Sequence, residues 1–138
     1  MTMSAREVVD QMLQAGRAMD TDACVALMAP EGYIEWPFRP EGLPERVQGR
    51  EEIRRFLAAA ARVPIRFDQY RDLVVHETTD PEVIIVEYKA IGTVTTTGAP
   101  FRQTIIAVFR VHDGRIVSYR DYLNPLVLAE ARVGLPAS

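Results

Sequence analysis

The sequence predicts an α+β fold in which helices cover one side of a curved antiparallel sheet, and three observations carry that prediction. Apolar residues recur at helical spacing mainly in the first part of the chain. From Ile65 onward the residues run in long, partly alternating segments rich in β-branched and aromatic side chains. Those segments are punctuated by turn signals, of which Asp113-Gly114 is the strongest local reversal in the chain. Helix-rich then strand-rich order is the pattern of α+β rather than of parallel α/β architecture.

The first element is a helix opened by a capping box, with Ser4 as N-cap and Glu7 three positions on. Val8, Val9, Met12, Leu13, Gly16 and Met19 fall close to helical spacing, so the helix presents one apolar face. A second helix is expected from about Asp20 or Thr21 to Ala29, with Cys24, Leu27 and Met28 inward, stopped by Pro30-Glu31-Gly32. Tyr33-Ile34-Glu35-Trp36 reads as a short strand closed by Pro37. Residues 37–46 hold three prolines and a glycine and must cross the surface as a stiff loop. Phe38 and Leu43 on that loop suit either a pocket rim or a small cluster packed beneath it. A third helix follows Gly49, with Glu51 and Glu52 in its first turn and Ile53, Phe56, Leu57 and Ala60 inward, ending at Val63-Pro64. Its Arg50, Arg54 and Arg55 read as a solvated face.

Four strands are expected next, over Ile65 to His76, Val83 to Thr95, Phe101 to Val111 and from Arg115 onward, joined as an antiparallel meander. Asn124-Pro125 reads as N-cap and first position of a last short helix, Leu126 to Val133, ended by Gly134 and Pro136. No repeat or linker interrupts the chain, so its 138 residues read as one domain, 1–138.

Composition excludes several function classes. A formal net charge of -3, without a basic stripe, argues against a nucleic-acid partner and against an anionic membrane surface. The N-terminus has no apolar signal core and no run approaches the roughly 20 apolar residues of a membrane span. A cytoplasmic protein is the simplest expectation. Cys24 sits in an apolar run as a buried, inert thiol, and one cysteine makes no intrachain disulfide. His76 and His112 are separated and lack clustered acids, so no metal is expected.

Three stretches carry a resemblance: 27–37 (Leu-Met-Ala-Pro-Glu-Gly-Tyr-Ile-Glu-Trp-Pro), 47–56 (Val-Gln-Gly-Arg-Glu-Glu-Ile-Arg-Arg-Phe) and 111–122 (Val-His-Asp-Gly-Arg-Ile-Val-Ser-Tyr-Arg-Asp-Tyr). With the element order, they resemble the SnoaL-like branch of the superfamily that holds ketosteroid isomerases, limonene epoxide hydrolase, polyketide cyclases and nuclear transport factor two. The resemblance covers nearly the whole chain. It implies a cone-shaped half barrel whose concave face and N-terminal helices enclose a mostly apolar pocket, and whose convex face forms a homodimer. The segment Tyr119 to Pro125 also resembles the phenazine-biosynthesis condensing subgroup, whose matching carboxylate is a glutamate rather than Asp121.

The departures from the family narrow the function. Against the ketosteroid isomerase pattern, the general-base aspartate is replaced by Trp36, the oxyanion-hole tyrosine by Met12 and the oxyanion-hole acid by Ala107. That isomerisation needs a base over the carbon acid and donors at the oxyanion, so it is not expected here. Against limonene epoxide hydrolase, only the aspartate matched by Asp121 survives, Tyr88 and Ala90 standing near its arginine and second aspartate.

The resemblance also sets the register of the last strand, placing Tyr119, Asp121 and Leu123 toward the pocket. Alternation then turns Val86, Tyr88, Ala90 and Gly92 inward from one neighbouring strand and Gln103, Ile105, Ala107 and Phe109 from the next. Asp121 is the expected catalytic acid or base, with Trp36, Tyr88, Gln103, Tyr119, Met12, Phe109, Leu123 and Phe38 as expected substrate contacts. A carboxyl in such surroundings has its pKa raised by desolvation, which suits proton transfer near neutral pH; alternatively it serves only as a hydrogen-bond acceptor in the core. Glu35 is expected to face away from Trp36 and pair on the surface; Arg39 is expected to be solvated, the alternative being that it holds an anionic group of the substrate at the rim. Two function classes follow. One is a cofactor-independent enzyme transferring protons on a small, largely apolar cyclic ligand by isomerisation, dehydration, cyclisation or epoxide opening. The other is a non-catalytic binding or dimeric interaction protein.

Overall fold

The structure, a computed structural model, describes residues 2–39 and 41–127. Three helices precede the long strands: α1 (Ala5–Arg17), α2 (Thr21–Leu27) and α3 (Arg50–Ala60). Six strands, β1 (Met28–Glu35), β2 (Arg46–Gln48), β3 (Ile65–Glu77), β4 (Val83–Val94), β5 (Pro100–His112) and β6 (Arg115–Leu123), form one sheet in the order β2-β1-β6-β5-β4-β3. The expected α+β class holds, as a curved sheet not closed into a barrel with the helices at its N-terminal side.

Local chemistry explains most boundaries. The capping box of α1 is made, Ser4 Oγ accepting from the Glu7 amide and Glu7 Oε1 from the Ser4 amide, both at 3.2 Å. Asp20 caps α2 by accepting from the Ala23 amide at 3.1 Å. Asp113 and Gly114 take φ of 50° and 74°, the left-handed pair that a two-residue hairpin turn demands, and β5 reverses into β6 there.

Two expectations near the N-terminal half need correction. The second helix stops at Leu27, and Met28 and Ala29 already belong to β1. Pro30-Glu31-Gly32, read as a helix stop, instead forms an irregularity inside the strand: β1 pairs with β6 in parallel at Met28↔Ile116, and again only from Tyr33↔Ser118. Gly32 permits this, since a Cβ there would stand 2.7 Å from the Ile116 carbonyl oxygen. The sheet is therefore mixed, a four-strand antiparallel meander extended by a parallel strand. The short β2, concealed in the sequence behind the proline loop, lines the edge through Tyr33↔Gln48 and Glu35↔Arg46.

The arginines after Gly49 are also not one solvated face. Arg50 is half-buried and donates to the Met28 carbonyl from Nε at 3.0 Å and Nη2 at 2.7 Å, tying α3 to the α2–β1 junction, while Arg54 pairs with Asp22 across to α2. Glu35 pairs with Arg46 at 3.4 Å on the sheet edge, as expected of a residue turned from Trp36.

The core lies between the concave face and the helices. Val8, Val9, Met12 and Leu13 of α1 pack on Val86, Tyr88, Ala107, Phe109 and Ile116 of the sheet, joined by Ile53 of α3. β5 alternates without a break, Phe101, Gln103, Ile105, Ala107, Phe109 and Val111 inward. Among the described residues no helix is long and apolar enough to cross a membrane. The final helix is seen only at residues 125–127, where Asn124 Oδ1 accepts from the Leu126 amide at 3.0 Å; the rest of the expected Leu126–Val133 helix and its stop at Gly134 and Pro136 lie outside the described residues.

Candidate active site

The core is hollow. A cavity of about 310 Å³ lies between the concave sheet and the three helices, and a smaller chamber of about 90 Å³ adjoins it. Nearly every element contributes to the larger wall, including Thr21 and Cys24 from α2, Phe56 and Leu57 from α3, Tyr70 from β3, Tyr88 and Ala90 from β4, Gln103 and Ile105 from β5, and Tyr119, Asp121 and Leu123 from β6. A large, mostly apolar hollow with a few convergent polar groups is the usual form of a small-molecule site.

Asp121 is the one carboxylate on that wall among the described residues. It reaches the cavity because β6 is registered against β5 at Ala107↔Asp121 and Phe109↔Tyr119, so that the inward face of β5 dictates the inward face of β6. The small Ala107 side chain opposite leaves the carboxyl room. Its surroundings are ring and aliphatic surfaces, and loss of hydration pushes its pKa from 3.8 up to about 7, against a smaller lowering by a hydrogen bond from the Trp36 side chain. Asp121 keeps part of its surface, and that part opens on the cavity; Oδ1 itself is buried and has no hydrogen-bond partner among the described residues. Buried polar atoms are nearly always partnered, so a bare, buried carboxylate oxygen is an unmet demand.

Three tyrosines stand beside it. Tyr88 is hydrogen-bonded to both Tyr119 and Tyr70, and the Tyr70 and Tyr88 rings lie 4.6 Å apart. Burial is the main cause that raises all three hydroxyls, Tyr70 to about 12 and Tyr88 and Tyr119 well above 10.0, with the nearby Asp121 charge acting in the same direction. They are hydrogen-bond donors, not bases. Cys24 is raised to about 11, first by burial and then by Asp20, so the thiol stays protonated as expected of an inert cysteine.

The structure sorts the expected contacts. Trp36, Tyr88, Gln103, Tyr119, Asp121 and Leu123 come together on the cavity wall. Met12 lines only the smaller chamber. Phe109, fully buried, lies behind the wall with its ring 4.3 Å from that of Tyr119, which it supports rather than joining the surface. Phe38 is misplaced by the expectation: it is 63% exposed and packs edge-on against Tyr122, 5.5 Å between centroids, on the opposite face of β6. The loop instead contributes Leu43. Gln103 touches the cavity, yet its amide is occupied, donating to the Asn124 carbonyl at 3.0 Å and accepting from the Asn124 amide at 2.8 Å.

Tyr70 escapes the sequence pattern because strict alternation from Ile65 turns it outward. An irregularity between Phe67 and Gln69 resets the phase, pairing Tyr70 with the inward Ala90. Phe56, at 4.8 Å from Trp36, is legible as an inward helix position but not as a cavity wall. Both histidines contact surface carboxylates, His76 that of Glu87 and His112 that of Glu82, and no cluster of three metal-ligating side chains occurs among the described residues.

Comparison with known proteins agrees with this architecture. Residues 9–119 match the model of the SnoaL-like domain. An uncharacterized PhzA/B-like protein of Pseudomonas aeruginosa is 34% identical over 137 residues, 99% of this chain and 95% of its own. A crystal structure from Bacillus subtilis, described provisionally as an isomerase, superposes with a TM-score of 0.84 at 32% identity, covering 96% of this chain and 97% of that one. A provisionally described polyketide cyclase from Pseudomonas putida KT2440 superposes at 0.78 with 23% identity, over 94% and 98% of the two chains, which bears on the fold alone. The chain belongs to the SnoaL-like family.

Proposed function

We propose that this protein is an enzyme that moves protons on a small, largely apolar cyclic molecule held in the cavity, with Asp121 as general acid and base. The observation that carries this reading is the Asp121 carboxyl itself, on the cavity wall, with Oδ1 buried and unpartnered and a pKa of about 7. A group that titrates at the working pH is populated in both forms, so it can take a proton in one step and return it in the next. The Trp36 side chain hydrogen-bonds the carboxyl, and the buried tyrosine hydroxyls beside it stay neutral. Reactions within reach of such a site are isomerisation, dehydration, cyclisation and epoxide opening, none of which requires a cofactor when proton transfer suffices. The isomerase description of the structural relative that is 32% identical supports the same class.

The test is Asp121→Asn, which keeps the shape and removes the titrating group. Turnover of a substrate found by screening cyclic ketones, alcohols and epoxides is expected to vanish while the far-ultraviolet spectrum is retained. Undiminished turnover in that variant would sink the proton-transfer role and favour a binding protein.

We also propose a homodimer through the outward sheet face, where Glu87, Lys89, Thr104 and Val108 alternate with the inward positions and where Ile106 leaves 44% of its surface exposed.

A further inference from the structure

The cavity states a preference about charge as well as shape. Its polar groups can be accounted for individually. The Gln103 amide is taken up in both directions by the Asn124 backbone. The Trp36 N–H serves Asp121, and the Tyr70, Tyr88 and Tyr119 hydroxyls are linked to one another. Cys24 remains a neutral thiol, and Thr21 brings only a neutral hydroxyl. Among the described residues on the wall there is no lysine, arginine or histidine; Arg17, which acts electrostatically on Tyr70, is not one of them. What remains unsatisfied is the Asp121 carboxyl, whose Oδ1 has no partner.

An anionic ligand entering this space would lose its hydration, find no cation and stand beside a carboxyl of the same sign, each of which costs binding energy. A ligand with an O–H or N–H would instead complete the carboxyl's hydrogen bonding, and a bond to an ionised acceptor is the stronger kind. A site with one buried, unpaired polar group discriminates strongly against ligands that leave it unpaired. Resting on the functional reading above, we propose that the natural ligand is a small, largely apolar cyclic compound without negative charge that presents a hydrogen-bond donor to Asp121, and that the cavity rejects carboxylates, sulfates and phosphates.

The test uses three probes with one ring system in calorimetric titrations at pH 7.5: 2-naphthol, 2-methoxynaphthalene and 2-naphthoate. We expect 2-naphthol to bind at least tenfold more tightly than 2-naphthoate, and several-fold more tightly than the methoxy compound, which lacks the donor. In Asp121→Asn the naphthol-to-naphthoate gap should narrow by about tenfold, because the like charge is gone while the fold and cavity persist. Equal or tighter binding of 2-naphthoate to the wild-type protein would overturn the charge preference. Equal binding of the methoxy compound would overturn the donor requirement, and a gap unchanged in Asp121→Asn would exclude Asp121 as its cause. Failure of 2-naphthol to bind would overturn the proposal as a whole. No turnover is needed for these readouts, so the predicted order of binding in a protein that catalyses nothing would refute the enzymatic reading and leave the ligand class standing.

Discussion

Replacing Asp121 by asparagine should do two opposite things, and the stability half can be worked out from the structure. In the unfolded chain the carboxyl titrates at 3.8; in the folded protein burial holds it at about 7. The folded state therefore binds the proton more tightly. Below pH 3.8 the group costs nothing, and through the window from 3.8 to about 7 the wild-type protein loses stability as pH rises. At about 1.4 kcal/mol per pH unit the full difference is about 4 kcal/mol. Water entering the cavity reduces it, because the carboxyl keeps some surface on that side, so about 2–4 kcal/mol is expected. The asparagine variant cannot ionise at this position, and its stability should not fall across this window. Urea unfolding of both proteins at pH 5 and pH 8 would measure the difference, with the single tryptophan, Trp36, as a fluorescent reporter on the cavity wall. The variant is predicted to gain about 2 kcal/mol or more on the wild type between the two pH values. A difference between them that does not change with pH would refute the desolvated carboxyl. A gain in stability accompanied by loss of turnover would be the signature of a residue kept for function at the expense of the fold.

Other consequences are simpler to state. Gly92→Ala would place a Cβ 2.2 Å from the Arg66 carbonyl oxygen and should destabilise the protein by about 3 kcal/mol, seen as a lowered Tm; a Tm unchanged from wild type would contradict the close approach of β3 to β4. Gln103→Leu removes both bonds to the Asn124 backbone and should cost about 2 kcal/mol while speeding amide exchange at Asn124, and unchanged exchange would show that another contact anchors the end of β6. Sedimentation at micromolar concentration should give a dimer mass that Ile106→Asp converts to monomer, and a monomeric wild type would refute the proposed interface.

The parts of this protein legible in its sequence are those where one face of a regular element is buried. β5 alternates from end to end, so the inward side of Gln103, Ile105, Ala107 and Phe109 follows from pattern. Asp121 takes its inward side from a family register, and the observed pairing with Ala107 supports it. What escapes is set by backbone irregularities with no strong local signal. The shift before Gln69 turns Tyr70 into the cavity, and the break between Met28 and Tyr33 hides the start of β1 behind a proline and a glycine that elsewhere end helices. Phe38 is misread for a different reason. A rigid loop fixes its path but not which side of the sheet edge each ring takes, and Phe38 finds Tyr122 outside while Leu43 takes the place inside. Phe109 shows that facing inward is not the same as touching the hollow, because depth along the cone separates wall from support.

The proton-transfer role proposed for the cavity depends on Asp121 being a carboxyl poised between its two charge states, and that can be measured without knowing the substrate. Carbon-detected nuclear magnetic resonance of aspartate side-chain carboxyls, titrated from acid to alkaline pH and assigned through Asp121→Asn, reads the ionisation directly. A midpoint of about 7 is expected for Asp121. A midpoint near the ordinary value of about 3.9 would mean a hydrated, paired carboxylate, and the proton-transfer role would not survive it.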